Sequence, residues 1–425
     1  MVIPSPLLET KLYVPRPRRG LVTRPRLSER LNRGSESKLT LVSAPAGFGK
    51  TTLAAQWCER LQAGGTPVAW LGVDQDDNNP VWFLAHLIEA VRPVGPSLLL
   101  PTGPPGSAPV DVLFSALETM AAPVVLLIDD WHRVSDPQVV AVLERLLLGV
   151  GGLRVVITSR TRSGLPLELL RARGDVVEVD ESALRFTPAE VEQLLVDVTR
   201  FGPADEELMD LLRPIGGWVA ALQLAALDPV TLNRSGYHHS IDAYLAESVL
   251  DRLPIEVLDF LLRTAGPDRL CADLVGTLTG GTHGQAMLDQ VVAGGLFLRP
   301  VDDEPGWYRY EEVFAGSLRR RLDREFPGEA GGLNRRAATW FAAHPQAVPS
   351  GADPVAGGPE VVPVSERELE ILRLLDFGRS NLEIARTLYL STNTVKWHLK
   401  ALFQKFDVTR RQECVVAARS AHLLN

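Results

Sequence analysis

Lys50, Thr51, Asp129 and Arg160 are the residues whose types and spacing bear most directly on chemistry. Lys50 and Thr51 close the run LTLVSAPAGFGKTT at residues 39–52. Its apolar start, 39–44, reads as a buried strand, and a helix is expected from Lys50 onward. Strand, small-residue loop and helix in that order form a phosphate-binding loop, with Ala44 where the pattern GxxxxGK[ST] begins with glycine. The loop Pro45, Ala46, Gly47, Phe48 and Gly49 would hold the nucleotide, its backbone N–H groups (Pro45 has none) curling around a polyphosphate, and the helix start adds partial positive charge. Lys50 would reach the β- and γ-phosphates, Thr51 would hold Mg²⁺, and Thr52 would lie near the α-phosphate. A chance glycine-rich turn is the competing reading, and the intact GKT triplet weighs against it.

A second apolar run, VVLLIDD, ends in two carboxylates. A strand at 124–129 places Asp129 at its C-terminal edge, where parallel sheets hold their ligands. Asp129 would sit next to the Mg²⁺, reaching it through its bound water, and Asp130 would orient or activate a water. Arg160 follows a further strand, 155–159, and would sense a γ-phosphate or else make a surface salt bridge. Arg16, Arg18 and Arg19 in the basic lead-in would meet nucleotide or DNA, or form a solvated arm.

Positioning these residues takes an alternating pattern of strands and helices. Helices are expected at 25–31, 50–61, 80–91 and 110–121, and strands at 68–73 and 176–179 besides those named. Five apolar strands between helices imply a mostly parallel sheet covered on both faces. From residue 186 the pattern turns helical, with a capping box at Thr187-Pro188-Ala189-Glu190. Helices are expected at 188–198, 206–213, 218–227, 241–253, 255–264, 271–278, 286–293, 315–326 and 333–344, with a hairpin from 296–300 and 307–310. The arginine run at 319–321 reads as a solvated helix face.

Composition narrows the function classes. The chain has 425 residues, 45% hydrophobic and 23% charged, in the range of a globular protein of several domains. The net charge of −8 excludes a generic polyanion binder, so any nucleic-acid site must be local. Cys58, Cys271 and Cys414 are too scattered for a zinc site or disulfide framework, which fits a reducing cytoplasm. The first twenty residues lack an apolar signal core, and no apolar stretch is long enough to span a bilayer.

Residues 344–363, HPQAVPSGADPVAGGPEVVP, are rich in Pro and Gly and lack a hydrophobic period, as a linker would be. Beyond them, three capping boxes start at Ser365, Ser380 and Thr409, and a further helix near Thr392 makes four short helices. In the third, Val395, Leu399, Leu402 and Phe406 share one face, while Asn393, Lys396, Trp397, Lys400 and Gln404 occupy the other. Lys, Asn, Gln and an aromatic on one helix face suit major-groove reading, although an ordinary polar face has the same spacing.

These segments resemble a known family. KLTLVSAPAGFGKTTLAAQW, LLIDDWH, VVITSR and RFTPAEVEQLL are similar to the nucleotide-binding core of MalT-type regulators, large LuxR-family ATP-binding transcription factors of the STAND class of NTPases. GGWVAALQLAAL, YLAESVLDRLP, GGLFLRPVDDEPGWYRY and LNRRAATWFAAH resemble their helical and winged-helix arms, and 364–425 resembles the LuxR/FixJ-type helix-turn-helix. The resemblance implies a multidomain α/β plus α fold. A P-loop NTPase domain would span 1–186, a helical arm 187–240, a winged-helix-like domain 241–344, a linker 345–363 and a four-helix DNA-binding domain 364–425. It implies ATP/ADP and Mg²⁺ as cofactors, with Lys50, Thr51, Asp129 and Arg160 at the loop, metal and sensor positions. It places Lys396, Trp397 and Lys400 against bases and Thr392, Asn393 and His398 against DNA phosphates. It further implies a cytoplasmic activator that self-associates on ATP and works on double-stranded DNA with RNA polymerase as a further partner.

Three departures stand out. No helical-repeat sensor separates the winged helix from the DNA-binding domain, only the linker. Glu311 follows the hairpin tyrosine where the family has a phosphate-facing histidine, so Glu311 and Glu312 either repel a bound phosphate or turn to solvent. Val219 follows Trp218 where proline is common, which would loosen the adenine pocket. Two other function classes stay open: a nucleotide-independent DNA binder with a vestigial switch, and a P-loop ATPase with an interaction tail.

Overall fold

The computed structural model describes residues 9–16, 21–33, 36–94, 109–118, 123–199, 209, 212–227, 236–302, 304–345, 366–376, 378–388, 395, 399, 402–403, 406, 408, 411–420 and 423–424. Two compact units divide them, Met1–Ala343 and His344–Asn425.

In the first unit, β1 (Leu39–Ser43), β2 (Val68–Gly72), β3 (Val124–Asp129), β4 (Leu153–Ser159) and β5 (Val176–Val179) form one sheet in the order β2-β3-β4-β1-β5. Every pairing is parallel. The strands form because near-continuous apolar runs bury both faces: Leu39, Leu41, Leu126, Ile128, Val155 and Ile157 on one side, and Val42, Val125, Leu127 and Val156 on the other. Helices Lys50–Ala63, Pro80–Val91 and Pro109–Glu118 follow the expected alternation. A helix not anticipated from the apolar pattern, Pro137–Gly149, lies between β3 and β4. Its start was nonetheless written locally, since Asp136 Oδ1 accepts from the amides of Gln138 and Val139 and Pro137 sits at the first turn. Leu126 has no exposed surface. Leu126→Ala is expected to cost about 2–5 kcal/mol of stability, read as a lowered urea midpoint at unchanged slope.

The helical part begins with a complete capping box. The Thr187 amide donates to Glu190 Oε2 at 2.9 Å, and the Glu190 amide donates to Thr187 Oγ1 at 3.3 Å. Arg24 and Arg26 also bind Glu190, tying the first helix, Pro25–Arg33, to this segment. Helices Val219–Leu227 and Gly236–Ser248 follow, and most of the helix expected at 206–213 lies outside the described residues. The helix expected over 241–253 ends early. Val249, at φ −134° and ψ −66°, breaks it, and a single 3-10 turn, Leu250–Arg252, replaces its end. Helices Ile255–Thr264, Ala272–Thr279, Gly284–Ala293, Glu312–Glu325 and Glu329–Ala343 then surround an antiparallel hairpin of β6 (Leu298–Pro300) and β7 (Tyr308–Tyr310). The run at 319–321 proves more specific than a solvated face. Arg320 binds both oxygens of Asp242, at 2.8 and 2.6 Å, and pins Glu312–Glu325 to Gly236–Ser248.

In the second unit, helices Glu366–Asp376, Asn381–Thr387 and Arg411–Ser420 are described. The Ser380 box forms in full: its amide donates to Glu383 Oε2 at 2.7 Å and Glu383 N–H returns the bond at 3.3 Å. Val395, Leu399 and Leu402 are buried with Ile371, Leu375, Ile384 and Cys414, and Phe406 packs against them. The apolar face read from spacing is thus the core face. The linker, apart from Pro345, lies outside the described residues, as do Ser365 and Thr409.

Candidate functional site

The C-terminal edges of β1, β3 and β4 meet at one place, and Lys50, Asp129, Asp130 and Arg160 are gathered there. Ala44 fits at the loop entrance because its backbone is not left-handed and its amide donates to the Ser159 carbonyl at 3.2 Å, extending the strand pairing. Gly47 and Gly49 do need glycine, at φ 79° and 76°. Lys50 Nζ donates to the Pro45 carbonyl at 2.8 Å. Burial, reinforced by the Arg160 charge, pulls the Lys50 ammonium down to about 8.

Thr51 Oγ1 donates to Asp129 Oδ1 at 2.9 Å, so the two expected metal positions touch. The same Asp129 oxygen accepts from the Thr158 hydroxyl, whose oxygen in turn accepts from the Asp130 amide at 3.1 Å. Burial raises the Asp129 carboxyl above its ordinary value, and the Asp130 charge pushes the same way. Asp130 adopts φ 63°, which turns its side chain off the strand and toward Arg133, 3.3 Å away. His132 stands beside it; burial holds that imidazole down to about 3, so it is neutral at ordinary pH. Arg160 makes no side-chain hydrogen bond or ion pair among the described residues, and the nearby Asp130 charge acts on it at longer range.

A cavity of about 260 Å³ is lined by Ala46, Gly47, Gly49, Lys50, Thr51 and Thr52 together with Asp130 and Arg160. Tyr244, Ser248 and Arg252 complete its wall from the helical part. A neighbouring cavity of about 390 Å³ shares the glycines, Thr51 and Thr52 and adds Arg16, Leu21, Val22, Phe186, Val219 and Gln223. It has the mixed apolar and polar lining that suits a nucleoside. Arg16 therefore faces the pocket, while Arg18 and Arg19 lie outside the described residues. Pro45 and Phe48 do not line either cavity; Phe48 is buried beneath the loop.

The helical part sits directly on the loop. Trp218 Nε1 donates to the Ala46 carbonyl at 3.0 Å, and the Ala220 amide donates to the Gly47 carbonyl at 2.9 Å. A Cβ at Gly47 would come within 2.7 Å of Ala220 Cβ. Val219 is buried against Gly49, so the replacement of proline leaves no gap at that contact. Phe297, held at φ 56°, places its ring 5.3 Å from Trp218 and 6.4 Å from Phe48. Gly295 lies so close that a Cβ there would meet the Arg160 carbonyl at 2.5 Å.

Glu311 takes neither course expected of it. Its Oε1 accepts from Arg185 Nη2 at 2.5 Å, and Arg185 also binds Glu181 and lies 5.5 Å over the Phe48 ring. Two carboxylates and two guanidiniums, with Arg299 3.7 Å from Glu311, thus close a network beside the loop, and burial raises the Glu181 carboxyl. Glu312 does turn to solvent and pairs with Arg319. Tyr244, Ser248, Arg252, Thr158 and Arg185 were not singled out from sequence; only their places in the folded chain mark them. Thr392, Asn393, Lys396, Trp397, His398 and Lys400 lie outside the described residues.

Comparisons with known proteins agree with this architecture. A profile described as MalT winged helix domain matches residues 246–330, and one described as bacterial regulatory proteins, luxR family, matches 362–418. The chain is 40% identical over 358 residues to the serine/threonine-protein kinase PknK of Mycobacterium tuberculosis, covering 80% of this chain and 32% of that protein. It is 31% identical over 357 residues to the HTH-type transcriptional regulator MalT of Serratia proteamaculans, covering 79% of this chain and 39% of the regulator. The chain thus spans about a third of the length of the curated relatives it matches. Among solved structures, a Walker-type ATPase of Pyrococcus abyssi superposes with a TM-score of 0.51 at 13% identity, covering 72% of this chain and 98% of that one. With a five-stranded parallel sheet, a segment matching the MalT winged helix and a segment matching the luxR family in one sequence, the chain resembles the MalT-type regulators of the LuxR family.

Proposed function

We propose that this chain is an ATP-dependent, sequence-specific DNA-binding regulator of transcription. The observation that carries the reading is the convergence of Lys50, the Thr51–Asp129 pair and Arg160 on one cavity, in a chain that also has a luxR-family segment. Lys50 binds the β- and γ-phosphates, and the loop amides wrap the pyrophosphate. Thr51 and Asp129 would hold Mg²⁺, which when bound screens phosphate charge; one hydroxyl and one carboxylate are a donor set that ion accepts, the rest of its shell being water and phosphate oxygen. Arg160 reads the terminal phosphate, and Asp130 orients a water for slow hydrolysis.

Triphosphate binding loosens the arm seated on Ala46 and Gly47 and allows self-association. Assembled copies then place several helix-turn-helix heads along DNA, where avidity compensates for a small head. The family supports activation through RNA polymerase. Solution mass by light scattering, with ADP, with a non-hydrolysable ATP analogue and with neither, tests the switch. Growth with the analogue alone is expected, and the same mass in all three states would sink it.

One observation favours a second reading, a nucleotide-independent DNA binder. The Arg185–Glu311 pair ties the winged helix to the end of the short helix Glu181–Leu184, a protein–protein bond that needs no phosphate. In that case Lys50→Ala leaves DNA binding intact.

A further inference from the structure

Arg252 ends the 3-10 turn created by the break at Val249, within the segment that matches the winged-helix profile. Had the preceding helix run on as its apolar pattern suggests, that turn would not exist. With it, Arg252 joins Tyr244 and Ser248 in the wall of the cavity that holds Lys50, Thr51 and Arg160. The lining side chains then include three cations and a single carboxylate, Asp130. Arg252 is close enough to Arg160 to help lower that guanidinium, which is already disfavoured by burial. Its own side chain makes no hydrogen bond or ion pair among the described residues. Two guanidiniums and an ammonium facing one polar cavity, the two guanidiniums in no ion pair among the described residues, form a receptor for a multiply charged anion.

We propose that Arg252 is a phosphate ligand delivered to the nucleotide site by the winged-helix segment, and that the terminal phosphate of a nucleoside diphosphate bridges it to Lys50 and Arg160. This rests on the nucleotide reading of the cavity. The arm is docked in the arrangement described, so the diphosphate, not the triphosphate that releases the arm, is the ligand this geometry meets. The contact supplies what Glu311 cannot. Glu311 carries the wrong charge for a phosphate and is committed to Arg185, so the bond between nucleotide and winged helix comes from a different element. By linkage, any affinity Arg252 adds for the diphosphate is returned as tighter docking of the arm.

The test is calorimetric titration of the full chain with ADP and Mg²⁺ at fixed ionic strength, using wild type, Arg252→Ala, Arg252→Lys and Lys50→Ala, with adenosine as a phosphate-free probe. Arg252→Ala is expected to weaken ADP about tenfold or more, the worth of a charge-assisted hydrogen bond. Adenosine affinity stays the same, and Arg252→Lys recovers part of the loss. The ligand-free melting temperature of Arg252→Ala stays at the wild-type value, because an exposed, unbonded side chain is removed. ADP binding within twofold of wild type in Arg252→Ala, with Lys50→Ala defective, overturns the proposal and leaves the nucleotide site standing. An equal loss for adenosine also overturns it. Failure of wild type to bind ADP at all removes the nucleotide site itself.

Discussion

Lys50→Ala lowers the affinity for ATP and ADP by about 30-fold to several thousandfold, the range for truncating one partner of a buried charge pair, about 2–5 kcal/mol. Lys50 is 7% exposed, and the bond of its ammonium to the Pro45 carbonyl leaves it without a full counter-charge until a phosphate arrives. The same burial gives the binding a pH dependence. In the free site the ammonium titrates at about 8, below the ordinary lysine value. A phosphate favours the protonated form and raises that value, so the complex holds a proton that the free site has lost above pH 8. Affinity is therefore level below about 8 and falls above it, by at most about tenfold per pH unit. Titrations from pH 6.5 to 9.5 check the slope, and Lys50→Ala should remove it. A wild-type affinity that stays level through pH 9.5 would mean that the ammonium does not meet the phosphate.

The second large effect lies in the DNA-binding unit. Lys396→Ala combined with Lys400→Ala reduces the salt dependence of DNA binding, with the slope of log K against log salt shrinking by about 0.9 for each phosphate-neutralising charge removed. Each lysine that bonds a guanine edge adds about 1–3 kcal/mol of discrimination. The two classes of contact are separable. Loss of slope alone identifies phosphate contacts, and loss of preference at one base pair identifies groove contacts. Binding to a site selected from random DNA by the wild-type chain, measured at several salt concentrations, gives both. Unchanged affinity and slope would rule this face out. Burial of Val395, Leu399 and Leu402 assigns one face of the helical period to the core.

What the sequence made legible was local. The phosphate loop, the strand ending in Asp129 and the capping boxes each occupy fewer than ten residues, and each declares itself through backbone geometry or periodicity. The parallel sheet followed because five apolar runs admit few other arrangements. Contacts between distant residues were not legible. Trp218 and Ala46 are 172 positions apart, and Arg185 and Glu311 are 126. No spacing rule links such pairs, so the fate of Glu311 could be framed from sequence only as repulsion or exposure. The helix break at Val249 was hidden for a different reason. Apolar residues recur at helical intervals across it, and the local backbone departs from that period in response to packing.

The bonds from Trp218 and Ala220 to the carbonyls of Ala46 and Gly47 have one more consequence, which concerns entropy. A loop with two left-handed glycines has many conformations to lose when it wraps a phosphate, and each glycine carries a penalty of about 0.5–1 kcal/mol beyond that of alanine. Here the arm has already fixed the carbonyls on the loop's outer side, leaving the amides on the inner side ordered before any ligand arrives. The arm thus acts as a mould for the loop it covers. The diphosphate meets a shaped cradle while the arm is seated, and the triphosphate that releases the arm meets a looser one.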